Sequence, residues 1–116
     1  MMPKIPKRFC QQTIIFKQIK QETNDWNQPD YEEAITIQNV LFQPQTIYSG
    51  ENNNRQIIAN AVVYFFAGIS KPLPKLNKEH VGSKIDFEGK EYTVKVIVDN
   101  RNPFSNNLYS YELEVL

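Results

Sequence analysis

The stretch KIDFEGKEYTVKVIVDN, residues 84–100, constrains this chain more than any other feature. Apolar and polar residues alternate along most of it, on either side of a turn at Glu88-Gly89. A period of two puts successive side chains on opposite faces of a strand, and a helix cannot gather that pattern into one apolar stripe. The stretch reads as a β-hairpin. Ile85 and Phe87 share one face, Gly89 turns the chain, and Tyr92, Val94, Val96 and Val98 line the inner face of the return strand. Its titratable groups are lysines and carboxylates on the polar face, so it offers structure rather than reactivity.

The same period recurs along the chain. QQTIIFKQI (11–19) is rich in β-branched residues and reads as a first strand, and KQETNDWNQPDY (20–31) as a polar loop or wide hairpin around Trp26. EAITIQNVLFQ (33–43) reads as a strand that changes phase. Ile35 and Ile37 share one face and Val40 and Phe42 the other, which calls for a curving bulge near Gln38–Asn39. PQTIYSGENNNR (44–55) is the most loop-like segment, while QIIANAVVYFF (56–66) reads as a strand covered on both faces.

Residues 67–83 contain two prolines and then at most one helical turn, with Asn77 as its cap. NRNPFSNN (100–107) is a further loop. LYSYELEVL (108–116) sets Tyr109, Tyr111, Leu113 and Val115 against Ser110, Glu112 and Glu114, as in a half-buried last strand. Strands at short spacing without a helix of ordinary length predict an all-β fold, a small antiparallel β-barrel with long loops. Pro3 and Pro6 make residues 1–10 an extended N-terminal arm, leaving 11–116 as a single barrel domain.

Charge and cysteine content narrow the function classes. The 13 basic and 13 acidic residues balance, which argues against a dedicated nucleic-acid binder. Cys10 is the only cysteine, so no disulfide can form within one chain. The longest apolar run, 61–67, is far shorter than the ~20 residues of a membrane-spanning helix, and MMPKIPKRF lacks the apolar core of a signal peptide. The expectation is a soluble product made in the cytoplasm, with no membrane partner.

Candidates for chemistry are few. His80 is the only histidine and lies in a polar turn, so no zinc ligand set is expected. A Cys10–His80 dyad is conceivable, but no oxyanion loop accompanies it. Glu112 and Glu114 have the spacing of a paired-carboxylate site, yet alternating glutamates on a strand usually form its solvated face. The four glycines are scattered and build no phosphate loop. The chain therefore reads as a non-enzyme, with no catalytic residue, metal or cofactor. The alternative is a small β-barrel nucleic-acid-binding or protein-interaction module. Tyr64, Phe65, Tyr92, Tyr109 and Tyr111 would stack bases and Lys84, Lys90 and Lys95 would neutralise phosphates, although strand alternation favours a core role for the aromatics.

The order and spacing of several segments resemble a family of small phage minor capsid proteins of the virion neck. These segments are PKIPKR (3–8), DWNQPDY (25–31), ITIQNVLFQP (35–44), ENNN (51–54), VYFF (63–66), KIDFEGKEYTVKVI (84–97) and LYSYELEVL (108–116). Asn27, AGISKP and YSYE depart from the family pattern. The resemblance implies a head–tail connector or head-closure protein, localised in the virion neck after synthesis in the host cytoplasm. Such a protein forms a homo-oligomeric ring below the portal, seals packaged DNA and docks the tail. Its expected partners are itself, a portal or adaptor protein and a tail-side neck protein, with non-specific contact to packaged DNA. Under this resemblance the candidate channel loop is Thr46, Ile47, Tyr48, Ser49, Gly50, Glu51, Asn52, Asn53, Asn54 and Arg55. The candidate ring contacts are Asp25, Trp26 and Tyr31.

Overall fold

The computed structural model describes residues 11–23, 26–50 and 55–116; the extended arm expected at residues 1–10 falls outside them. Eight strands occur among the described residues: β1 (Gln12–Lys17), β2 (Ile19–Thr23), β3 (Pro29–Tyr31), β4 (Ile35–Ser49), β5 (Gln56–Phe66), β6 (Lys84–Phe87), β7 (Lys90–Arg101) and β8 (Leu108–Val115). Their one helical element is a 3₁₀ turn, Lys78–His80. Six strands close an antiparallel barrel in the order β1-β4-β5-β8-β7-β6, and β2 and β3 form a separate ribbon.

Alternation places the core. Ile14 and Phe16 of β1, Phe65 of β5, Ile85 of β6 and Leu113 of β8 are fully buried within the barrel. Phe16 meets Phe65 edge-on at 6.0 Å, and Phe42 stacks on Phe87 at 4.0 Å. Fully burying one such side chain stabilises the fold by about 1.5–3 kcal/mol. The β6–β7 hairpin turns through Glu88 and Gly89, both with positive φ (51° and 83°). Two successive left-handed residues match the right-handed twist of the flanking strands, and glycine takes the second position without steric cost.

The bulge expected near Gln38–Asn39 is present. Gln12 faces Val40 and Ile14 faces Ile37, so three steps of β4 oppose two of β1. Asn39 supplies the extra residue at φ 60°, which lets both Ile37 and Val40 enter the core. The connection after β5 fastens it. Gln38 and Lys71 exchange backbone hydrogen bonds of 2.9 and 3.1 Å. The buried Ser70 hydroxyl donates to the Asn39 carbonyl at 2.7 Å and accepts from the Phe66 N–H at 2.9 Å.

A second bulge overturns part of the expected hairpin. Val94 faces Val115 but Val96 faces Glu114, so β7 carries an extra residue at Lys95–Val96. The phase flips there. Val94 and Ile97 are buried inside, whereas Val96 is half-buried on the outer wall and Val98 is exposed. A third irregularity, where Asn100 faces Ser110 and Arg101 faces Leu108, separates Tyr109 from Tyr111. Leu108 then packs on the barrel core and Tyr109 on Phe66 of a smaller outer cluster.

The expected cap at Asn77 is also present. Its side chain accepts from the Glu79 N–H at 2.8 Å, and its own N–H donates to His80 Nδ1 at 3.0 Å. This is a reciprocal capping box with histidine in the place usually held by Glu or Gln. The β2–β3 ribbon docks against this turn. The Ile19 N–H donates to Ser83 Oγ at 2.9 Å, and that hydroxyl donates to the His80 carbonyl at 2.6 Å. Gly82 allows the close approach, since a Cβ there would lie 3.1 Å from Ile19 Cδ1.

Two stability outcomes follow from this geometry. Ile97→Asp should abolish soluble folding by burying an unpaired charge, whereas Val96→Asp should yield folded protein. Circular dichroism and soluble yield of the two variants check the assigned phase, and the reverse ranking would contradict it. Ser70→Ala, which strips a buried donor and a buried acceptor of their shared partner, should cost about 1–3 kcal/mol in urea unfolding.

Candidate functional site

β4 and β5 outrun their neighbours. β1 opposes β4 only as far as Val40, and β8 opposes β5 only from Ala61 onward. Beyond those points the two strands continue as a ribbon, pairing Ile47 with Ala59, Tyr48 with Ile57 and Ser49 with Gln56. The Gln12 carboxamide covers the first bare position. It accepts from the Phe42 N–H at 2.7 Å and donates to the Phe42 carbonyl at 3.2 Å, as one more strand residue would.

The loop expected over 46–55 is therefore corrected at its start. Thr46, Ile47, Tyr48 and Ser49 belong to β4, leaving a connection that begins at the Gly50 bend and ends at Arg55. Glu51, Asn52, Asn53 and Asn54 lie outside the described residues. Gly50 and the run of asparagines made the segment read as loop; Pro44, within the strand, pairs with Ala61 where β4 has already lost its β1 neighbour. A strand edge tolerates the missing N–H. Downstream, TIYS has the β-branched and aromatic content of a strand.

The ribbon's outer end is apolar for an exposed element. Tyr48 is 49% and Ile57 48% exposed, and the Arg55 guanidinium lies 4.4 Å from the centre of the Tyr48 ring. Of the other candidate contacts, Trp26 stands 82% exposed in the turn between β2 and β3, and Tyr31 is half-buried on β3 opposite Ile19. Asp25 lies outside the described residues. Phe104, 78% exposed, escaped the sequence reading. Its loop is ordered by the Asn102 N–H donating to the Asn107 carbonyl (2.8 Å) and by Asn102 Oδ1 accepting from the Phe104 N–H (2.9 Å). A phenylalanine after proline in an otherwise polar run was the available signal.

The chemical candidates take structural places. Nδ1 of His80 accepts the Asn77 N–H, so the neutral ring carries its proton on Nε2. That nitrogen lies 3.1 Å from Gln18 Nε2, so a hydrogen bond between them requires the carboxamide turned with its oxygen toward the ring. Cys10 lies outside the described residues. No group of three or more His, Cys, Asp or Glu side chains able to hold a metal ion occurs among the described residues.

The aromatics weighed as a stacking platform divide. Phe65 and Tyr111 are buried in the barrel, and Tyr92 packs edge-on against Phe42 at 5.2 Å. The Tyr111 hydroxyl accepts the Leu76 N–H at 3.0 Å. Only Tyr64 and Tyr109 remain on the outer wall, both against Phe66. Burial, and then the nearby Glu112 and Glu114 carboxylates, raise the Tyr64 phenol above its ordinary value.

The fold, a small closed barrel whose exposed aromatic residues sit on its projecting connections, defines a structural module. A family model described as minor capsid protein matches residues 6–115. The chain is 44% identical over 88 residues to an uncharacterized protein, ORF5, of Lactococcus phage LL-H, covering 76% of this chain and 73% of that one. It is 57% identical over 61 residues to an ORF5 protein of Lactococcus phage mv4, covering 53% of this chain and 54% of the relative. The chain belongs to the phage minor capsid protein family, a family of structural virion components.

Tyr64 gives a pH test of the outer wall. Its pKa is raised in the fold, so its contribution is fully present below the unfolded value of about 10 and is lost as pH rises through the folded value. Between about pH 9 and about pH 11.5 the melting temperature of the wild type should fall further than that of Tyr64→Phe. Parallel curves would place the phenol in ordinary solvent.

Proposed function

We propose that this minor capsid protein is a head–tail connector subunit. It forms a ring below the portal that closes the head on packaged DNA and presents a surface to the tail. The observation that carries the reading is the β4–β5 ribbon. It projects past the barrel, its edges unpaired by any other described strand, with Tyr48 and Ile57 exposed, in a chain whose family is structural. An isolated two-stranded ribbon is marginal in water, so apolar side chains at its end favour packing against other subunits.

In a ring, copies of the ribbon converge around the axis and their Gly50–Arg55 connections close the channel. Arg55, carried over Tyr48, faces the DNA path as a non-specific phosphate contact. Trp26 and Tyr31 on the β2–β3 ribbon contact a neighbouring subunit, with a portal or adaptor protein on one side and a tail-side neck protein on the other. The nucleic-acid-module reading draws less support, since Phe65 and Tyr111 are inside the barrel and Tyr92 is committed to its packing.

Deleting residues 50–54 tests the closure role. It leaves every core strand intact, so the subunit should fold and enter particles, while filled heads should lose DNA. Complementation with the shortened protein, read by nuclease-protected DNA per particle and immunogold labelling of the neck, gives the answer. Stable full heads would remove this connection from the closure role, and label away from the neck would remove the connector assignment itself.

A further inference from the structure

The outer wall formed by β5, β8 and β7 carries a charge pattern that no ion pair among the described residues completes. Glu112 faces Tyr64 on one side and Val98 on the other, and Glu114 faces Val62 and Val96. Both glutamates point outward, because Tyr111, Leu113 and Val115 between and beside them fill the core. Both are half-buried, two residues apart on one face, and flanked by apolar side chains. The ion pairs among the described residues are Lys20–Asp30 and Arg101–Asp99, so neither carboxylate is ion-paired to a described basic residue, Lys95 of the bulge opposite Glu114 included. Their field reaches Tyr64, whose ionisation they oppose. Half-buried like charges without a counter-charge are unfavourable until a cation covers them.

The complement lies on the connection from Lys71 to Lys78. Lys71, Lys75 and Lys78 are exposed, and no acidic residue interrupts that stretch. The strip is held in shape. Lys71 is stitched to Gln38, Leu76 is tied by its N–H to the Tyr111 hydroxyl, and Leu73 and Leu76 pack on the core. Asn77 and His80 cap its far end. A preorganised strip loses little freedom when it docks. Its Pro72 and Pro74 offer apolar surface between the lysines, matching Val96, Val98 and Tyr64 beside the glutamates.

No ion pair joins the strip to the wall within one subunit among the described residues. We propose that the Lys71–Lys78 strip of one copy docks on the Glu112/Glu114 wall of a second copy. With a single strip-to-wall contact between two copies the contact is head-to-tail, and the pair keeps a free wall on one copy and a free strip on the other. Repetition generates a ring or an open chain rather than a closed two-fold pair. The inference rests on the ring reading above and deepens it by naming the faces that meet.

Charge reversal of the full chain tests it. Sedimentation velocity of the wild type should show association that weakens from about 50 mM to about 500 mM salt, as screening shortens the reach of the charges. Glu112→Lys with Glu114→Lys, and separately Lys71→Glu with Lys75→Glu and Lys78→Glu, should each weaken association ~10-fold or more. An equimolar mixture of the two variants should restore it, because each then offers the charge that the other lacks. Circular dichroism checks folding. If the double lysine variant does not fold, Glu112→Gln with Glu114→Gln replaces it and should weaken association as well.

A wild type that stays monomeric at both salts, or association unchanged by either reversal, overturns the interface. The connector reading is judged separately, by mass spectrometry of purified virions and neck labelling. Rings that persist in the reversed variants would sink the interface and leave that reading standing.

Discussion

Closure of the barrel depends on β1, a strand of six residues that pairs on both sides. Phe16 faces Ile35 of β4 across one edge and Ile85 of β6 across the other. It is fully buried and meets Phe65 of β5 edge-on. Without β1, both β4 and β6 would present unpaired backbone, and a small sheet with two bare edges is prone to pair with other chains. One side chain thus sits where backbone pairing and core packing converge. β4–β5, β6–β7 and β7–β8 succeed each other as hairpins, and the 67–83 connection carries the chain from β5 to β6 past β8 and β7.

Curvature is the second requirement, and it is met by bulges at which the side-chain phase changes. At Gln38–Asn39 the extra residue turns Val40 inward after Ile37, and the Ser70–Lys71 segment holds the bulge through hydrogen bonds to both of its residues. At Lys95–Val96 the same device moves the interior from Val94 to Ile97 and leaves Val96 and Val98 outside. The second bulge has a functional consequence. It puts two valines on the wall beside Glu112 and Glu114, and so gives that wall its mixed apolar and acidic character.

The chain therefore divides its roles by position. The barrel interior is occupied by packing, and His80 serves as a cap rather than in chemistry. The most exposed large apolar groups are carried on projections: Tyr48 and Ile57 on the β4–β5 ribbon, Trp26 on the β2–β3 ribbon and Phe104 on the 102–107 loop. A barrel with apolar projections accords with a family of minor capsid proteins.

Much of this was legible in the alternation of the chain. The all-β class, the 84–89 hairpin, the Gln38–Asn39 bulge and the Asn77 cap are local matters of period, turn residue and hydrogen-bonding side chain, and such signals lie within a few residues of each other. The sequence by itself also determined the inventory of one histidine and one cysteine. What it could not determine depends on partners distant in the chain. The bulge at Lys95–Val96 is defined by β8, which returns some fifteen residues or more later, so an unbroken run of alternate valines read as one face. Thr46–Ser49 became strand because Gln56–Ala59 lie opposite, and Pro44 was tolerable because β1 had ended. Only the tertiary structure decided these points, because strand phase and strand length belong to the pairing of two segments and not to either segment alone.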